Sequence, residues 1–356
     1  MLQVCVVIGH SKPAIDRNDI LAVESVLKSG YLAQGPKVGE FESKFSAFLG
    51  LKGAVATNSG TSALHLALLG LRLKKGDEVI VPSYVCAAVL NAVKSAGLNV
   101  RLSDIDPIDF NLNTETIKKN LKPRVKAIIL PHLFGQAADI EDILKLGIPV
   151  IEDCAQSLGS RYKGRRTGTF GIISIFSFYA TKMMTTGHGG MVASSSRTLL
   201  DRVRDLREFD ERKDYIHRYN YKMMDLEAAL GMSQLARLES FIKIRKRIAE
   251  TYTKRFLQCG IDVPEVKPGR DHIFYRYVIK VKRDINRIKK VFLSKGIEVK
   301  SPVFMPLHRY SGMAKNRFPN TEMAFRQSIS IPIYPGLNED EIQYIQDTVC
   351  EVLKVQ

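Results

Sequence analysis

Ile151-Glu152-Asp153-Cys154-Ala155-Gln156 is the stretch whose reading decides the fold class. The run Val150 to Glu152 reads as a short buried strand, and it stops on two carboxylates. In open α/β sheets ligands gather at the carboxyl ends of strands, which places Asp153 where chemistry is expected. A helix N-cap or a turn aspartate would account for the same letters. The neighbouring sequence decides between these readings. Apolar runs at Ala54 to Thr57, Glu78 to Val81, Asn99 to Leu102, Ala127 to Leu130 and Ile172 to Phe176 read as further strands. Helical patterns at Ser62 to Leu71, Ala87 to Ala96, Thr114 to Leu121 and Ile140 to Leu146 lie between them. The alternation predicts an α/β architecture with a mostly parallel central sheet.

Beyond Asp225 the grammar changes. Asp225 to about Leu257 has no proline and a single glycine, Gly231, and predicts one long helix leaving the sheet region. An alternating strand at Phe274 to Val281, a helix from Asp284 to Ser294, a short strand near Glu298 and a closing helix from Glu339 to Leu353 then predict a small α+β unit. The expected division is a large domain over 1–240 and a smaller one over 241–356.

A chain of 356 residues with 45% hydrophobic content can bury an ordinary core. Its five cysteines, Cys5, Cys86, Cys154, Cys259 and Cys350, are scattered and form no C-x-x-C pair. That predicts folding without disulfides, no structural zinc and a reducing compartment, the cytoplasm. Met1 to His10 is apolar but lacks a basic leader, and no apolar run is long enough to span a bilayer. The formal net charge of +16 would attract polyanions, but the basic clusters are short and no nucleic-acid-reading module is present. A phosphorylated or nucleotide-linked small substrate suits the same excess.

Two more segments complete a constellation. Asn58-Ser59-Gly60-Thr61-Ser62 lies between a predicted strand and a predicted helix, where backbone N–H groups and hydroxyls make an anion site suited to a phosphate, or an ordinary helix cap. Ser177-Phe178-Tyr179-Ala180-Thr181-Lys182 follows another strand and leads into Thr185-Thr186-Gly187-His188-Gly189-Gly190. A lysine in that apolar setting is a candidate for Schiff-base chemistry, or a surface lysine beside a glycine loop. A phosphate cradle, a strand-end aspartate and a lysine after a later strand are together the parts that pyridoxal 5'-phosphate needs, with Ser177 adding a hydroxyl to the phosphate.

With these segments, Tyr31-Leu32-Ala33-Gln34-Gly35-Pro36, Val81-Pro82-Ser83-Tyr84, Tyr219-Asn220-Tyr221-Lys222-Met223 and Pro306-Leu307-His308 stand in the order seen in the DegT/DnrJ/EryC1/StrS family. The chain resembles that family over nearly its whole length. The resemblance implies a fold-type-I pyridoxal-phosphate transferase that aminates nucleotide-linked keto-sugars. It implies that Lys182 carries the cofactor, Asp153 pairs with the pyridine nitrogen, and Gln156 lies against the ring or its hydroxyl. Gly60, Thr61, Ser62 and Ser177 would hold the phosphate. A homodimer with shared sites is implied, with Asn220 and Lys222 reaching the partner's cofactor, and with Tyr31 and His308 near the sugar nucleotide.

The sequence departs from the family pattern at Cys86, where a ring-stacking aromatic is common, and at His188, where the glycine loop usually carries an acid. After Arg207, Glu208-Phe209-Asp210 replace the usual histidine and glycine. His188 is a candidate for a substrate role or a loop histidine bonded to backbone. A related branch has histidine in place of the lysine and dehydrates the sugar; Lys182 favours transamination. The expectation is therefore an aminotransferase using glutamate, with the loop Gly30 to Pro36 leaning to C4 over C3, for polysaccharide or glycoside biosynthesis. A dehydratase, a cyclitol aminotransferase and a nucleic-acid-binding regulator are the alternatives.

Overall fold

Seven strands form the central sheet: β1 (Gly53–Thr57), β2 (Glu78–Pro82), β3 (Asn99–Ser103), β4 (Val125–Pro131), β5 (Val150–Asp153), β6 (Ile173–Ser177) and β7 (Gly190–Ser194). Their spatial order is β1-β7-β6-β5-β4-β2-β3. The computed structural model describes residues 7–354; Cys5 and most of the apolar opening Met1–His10 lie outside them. β3, β2, β4, β5 and β6 run parallel to one another. The sequence reading did not include β7, which is antiparallel to both its neighbours and joins β1 to the rest. Its first residue belongs to a glycine-rich loop, and its last residues, Ala193 and Ser194, carry no strong strand preference.

The sheet is covered on both faces, which is why its strands are short unbroken apolar runs. Successive side chains alternate between the faces. Val79, Val81, Ile129, Ile151 and Ile175 pack with Leu64, Leu68 and Val89 from helices Gly60–Gly70 and Ala87–Ser95. Ile80, Ile128, Leu130 and Val150 pack on the other face with Ile117, Ile140 and Ile143. Near β6 and β7, helix Pro36–Leu49 closes that face with Phe41 and Phe45 against Phe176 and Phe178. Arg207, buried, ties this helix to β1 by donating to Glu42 at 2.7 Å and to the Ala56 carbonyl at 3.1 Å.

The long helix expected from Asp225 to Leu257 is two helices, Asp225–Ala236 and Leu238–Gln258, broken at Arg237. No proline or glycine marks the break. Arg237 is held by Asp16 at 2.7 Å and by Asp19, and the two helices serve different partners. The first packs on helices Arg17–Ser29 and Pro36–Leu49. The second carries Ile248, Tyr252 and Phe256 into a C-terminal core with Tyr277, Phe292, Ile331 and Ile345.

That C-terminal region has a two-stranded antiparallel sheet, Tyr277–Lys280 with Ser328–Ile331, flanked by helices Ile285–Ser294 and Glu339–Lys354. Instead of the strand expected near Glu298, isolated bridges join Ile8 to Ile297 and Lys300 to Ser330. The expectation of a chain without disulfides is also corrected. Cys259 and Cys350, 91 positions apart, form a disulfide with their Cα atoms 5.8 Å apart. The packing of helix Leu238–Gln258, which Cys259 ends, against helix Glu339–Lys354 makes the pair, so spacing in sequence could not reveal it. Among the described residues no helix is long and apolar enough to cross a membrane.

Candidate active site

β1 ends at Thr57, and Asn58-Ser59 turns the chain into helix Gly60–Gly70. The Ser59 hydroxyl caps that helix, accepting the Ser62 N–H at 3.1 Å, while the Ser62 hydroxyl donates to Asn58 Oδ1 at 2.7 Å. Ser59 and Ser62 thus serve the turn itself, and Gly60 and Thr61 line the open space in front of it. A Cβ at Gly60 would lie 2.7 Å from the Ser177 Cβ, and one at Gly190 would lie 2.4 Å from the Ser59 carbonyl oxygen. The two glycines let the ends of β6 and β7 come up against the helix start. Free N–H groups at a helix N-terminus and a hydroxyl from Ser177 so converge, a cradle suited to a phosphate.

At the end of β5 the two carboxylates point to opposite faces, as strand geometry requires. Glu152, fully buried, accepts N–H groups from Gly168, Phe170 and Gly171 at 2.6 to 2.7 Å. Its Oε2 lies 3.1 Å from His132 Nε2, and His132 Nδ1 accepts the Ala138 N–H at 3.1 Å, so the ring proton sits on Nε2. Burial pushes the Glu152 carboxyl up, but His132 and these N–H groups outweigh it and hold it down. Glu152, His132 and Cys154 are close enough to suggest a metal cluster, yet the histidine lone pair and the carboxylate are already engaged. Asp153, by contrast, faces the cavity, and among the described residues its side chain accepts only the Ala155 N–H, at 3.0 Å on Oδ1. Burial raises its carboxyl, with Lys182 and His132 pulling the other way. A buried carboxylate with a free oxygen is suited to a cationic partner such as a pyridinium.

Lys182 stands in the turn after β6, its N–H bonded to the Tyr179 carbonyl at 2.8 Å. It faces Asp153 across a cavity of about 370 Å³ that Gly60, Thr61, Cys86, Ser177 and His188 also line. The size is that of a small-molecule site. Cys86, at the start of helix Ala87–Ser95, is a free thiol at the wall. Two residues outside the expected set belong here. Tyr179 lines the cavity and packs edge-on against His188 at 5.2 Å. Tyr275, from the far end of the chain, puts its ring centroid 5.1 Å from Lys182 Nζ. Tyr179 could have been found from its place in the Lys182 segment; nothing local marks Tyr275.

Other expected residues lie elsewhere. Gln156 does not line the cavity, and its Oε1 accepts the Phe134 N–H at 2.9 Å. His308 is fully buried, 2.7 Å from the Ser83 hydroxyl and 2.9 Å from Glu322, so it braces the loop before Cys86 and does not face a sugar. Tyr31 is 77% exposed. Asn220 lends its carbonyl to the Asn58 side chain at 3.3 Å, and Lys222 pairs with Asp210 of the same chain.

The cavity therefore offers a phosphate cradle, a carboxylate and an amine on the walls of one space of about 370 Å³, and the residues present fit pyridoxal phosphate. Comparison with known proteins agrees. The model of the DegT/DnrJ/EryC1/StrS aminotransferase family matches residues 13–350. The chain is similar to the spore coat polysaccharide biosynthesis protein SpsC of Bacillus subtilis, 34% identical over 97% of both chains. It is similar to GDP-perosamine synthase of Caulobacter vibrioides, 32% identical over 97% of this chain and 98% of that one. A Streptococcus pneumoniae structure in its PLP form is 25% identical with a TM-score of 0.92, over 98% of this chain and 99% of that chain.

Proposed function

Because the chain belongs to the DegT/DnrJ/EryC1/StrS aminotransferase family, we propose that this sugar aminotransferase moves the amino group of glutamate onto a nucleotide-linked keto-sugar, at C4 in preference to C3. The product would serve polysaccharide or glycoside biosynthesis. One observation carries the reading: Lys182, Asp153 and the Gly60-Thr61 helix start wall a single cavity. Bound there, pyridoxal phosphate supplies the electron sink that lets a Cα–H bond break.

The chain's own residues then have defined tasks. The N–H groups at Gly60 and Thr61 and the Ser177 hydroxyl hold the phosphate. Asp153 keeps a proton on the ring nitrogen by remaining charged beside it. Lys182 would anchor the cofactor and, when its amine is free, would hold and move the proton that leaves the donor Cα. Cys86 faces the ring with a small thiol in place of an aromatic stack. His188 and Tyr179, at the mouth, face the sugar. Asn220 and Lys222 reach the partner's cofactor phosphate in a homodimer; the exposed segment around Tyr215, 95% accessible, supports that reading. A cytoplasmic location now rests on the substrate class alone, since the Cys259–Cys350 bond removes the argument from unpaired thiols.

The test has two arms. Borohydride reduction of the cofactor-loaded protein should fix the cofactor on the peptide containing Lys182, and labelling elsewhere would end the assignment. Glutamate consumption should follow addition of 4-keto-sugar nucleotides. Turnover with keto-inositols alone, or loss of water from the sugar without consumption of glutamate, would replace the reading.

A further inference from the structure

The Tyr275 ring lies against Lys182, outside the set of residues that line the cavity, although its segment comes from the C-terminal part of the chain. The Ile273 N–H donates to the Gly135 carbonyl at 3.0 Å and the Arg276 N–H to the Phe134 carbonyl at 3.3 Å, clamping residues 273–276 onto the turn after β4. Gly135, at φ 101°, leaves no room for a side chain: a Cβ there would lie 2.9 Å from the Tyr275 nitrogen. The clamp brings Tyr275, 6% exposed, beneath Lys182, whose Nζ stands 5.1 Å from the ring centroid. That is within the reach of a cation–π contact.

Cations approach this residue from several elements, while its ring is also buried in an apolar cluster with Phe178 and Ile273. Lys182 and Thr181 approach from the turn after β6, and the Arg276 guanidinium lies 5.5 Å from the ring centroid on the phenol's own segment. From helix Leu238–Gln258, the buried Arg245 donates to the Tyr275 carbonyl at 3.4 Å. Arg276 Nη1 is buried and, among the described residues, finds no hydrogen-bond partner. A buried arginine nitrogen left unpaired is costly, and the Tyr275 phenol, its ring centroid 5.5 Å from that guanidinium, is a group able to carry compensating negative charge.

We propose that Tyr275 is the positioning residue of Lys182: its ring carries the freed amine, and its hydroxyl, set between Thr181 and Arg276, offsets the Arg276 charge so that the amine can both take up and release a proton. This role rests on the reading of Lys182 as the cofactor lysine. Burial pushes the Tyr275 hydroxyl up, but the charges of Lys182 and Arg276, with hydrogen bonding to Thr181 and Arg276, bring it down to about 8. The phenol acts from beneath the amine without lining the cavity in which donor and sugar react.

The experiment reads Lys182 directly in cofactor-stripped protein, by the rate at which trinitrobenzenesulfonate modifies the peptide containing it at fixed pH. In Tyr275→Phe the ring stays and the Arg276 charge is unopposed, so more of the amine is neutral and labelling should accelerate about tenfold. In Arg276→Gln a repelling charge is gone and labelling should slow severalfold. Opposite changes support the proposal; unchanged rates, or changes in one direction, overturn it. Thermal midpoints establish that each variant is folded, and if Tyr275→Phe is not, an unslowed Arg276→Gln decides against. In the loaded enzyme Tyr275→Phe should lower kcat and leave KM for the sugar within twofold, a split that loss of packing alone would not produce. The labelling arm stands whichever keto-sugar is the substrate, so failure of the assigned reaction and failure of this proposal are distinguishable.

Discussion

A single methyl group at position 60 would meet Ser177 at 2.7 Å between Cβ atoms, which makes the phosphate cradle a matter of one hydrogen atom. Gly60→Ala should weaken cofactor binding about fivefold or more, as overpacking of about 1–3 kcal/mol would do, and Ser177→Gly in the same chain should restore part of it. Equilibrium titration with pyridoxal phosphate measures both; an unaffected Gly60→Ala would remove the cradle from the site. Glu322 is the second residue of consequence. Arg309 holds its carboxyl down at about 2 against the effect of burial, with Arg326 and His308 adding to it. A lowered carboxyl contributes stability that is complete above its unfolded value of 4.5 and fades as the pH falls toward 2. Glu322→Gln should therefore cost about 2–3 kcal/mol at pH 7, and its thermal midpoint should converge on that of the unaltered protein between pH 4.5 and 2. A constant gap across that range would contradict the assignment. Asp153 was legible as a candidate because it ends a strand that announces itself, and Lys182 because it lies in the turn that follows one. His308 was not, since nothing in Pro306-Leu307-His308 tells a buried bracing imidazole from one facing a ligand.

Among elements, the six strands expected in the central sheet and the four helices expected between them are found, while helices Arg17–Ser29 and Pro36–Leu49 were not read and the break at Arg237 does not follow from any local signal. Propensity favours one helix there; the competing pull of Asp16 and Asp19 and two separate packing surfaces produce two. The Cys259–Cys350 bond is likewise a property of helix packing, fastening the end of helix Leu238–Gln258 to helix Glu339–Lys354. Closing a loop of that length restricts the unfolded chain, so Cys350→Ser should lower stability by about 2–4 kcal/mol. Dithiothreitol should bring the midpoint of the unaltered protein to that of the variant, and a variant as stable as its parent would mean that the two thiols are not joined in solution.

For the whole molecule the open question is whether the site is complete within one chain. If Lys222 serves the partner's phosphate, mixing inactive Lys182→Ala with inactive Lys222→Ala should regenerate one intact site in each hybrid dimer. Turnover would then recover to roughly a quarter of normal for random pairing in a symmetric dimer. No recovery would confine Lys222 to its own chain, where it already pairs with Asp210. By itself the sequence determined the α/β class, through strand periodicity, and the cofactor, through the order of the motifs it shares with its family, because both are properties of the linear chain. Only the tertiary structure decided that Glu152 braces a loop while Asp153 faces the cavity, that Cys259 meets Cys350, and that Tyr275 lies beneath Lys182. Each of these depends on which segments far apart in the chain are packed together, and burial and charge compensation exist only after that packing is complete.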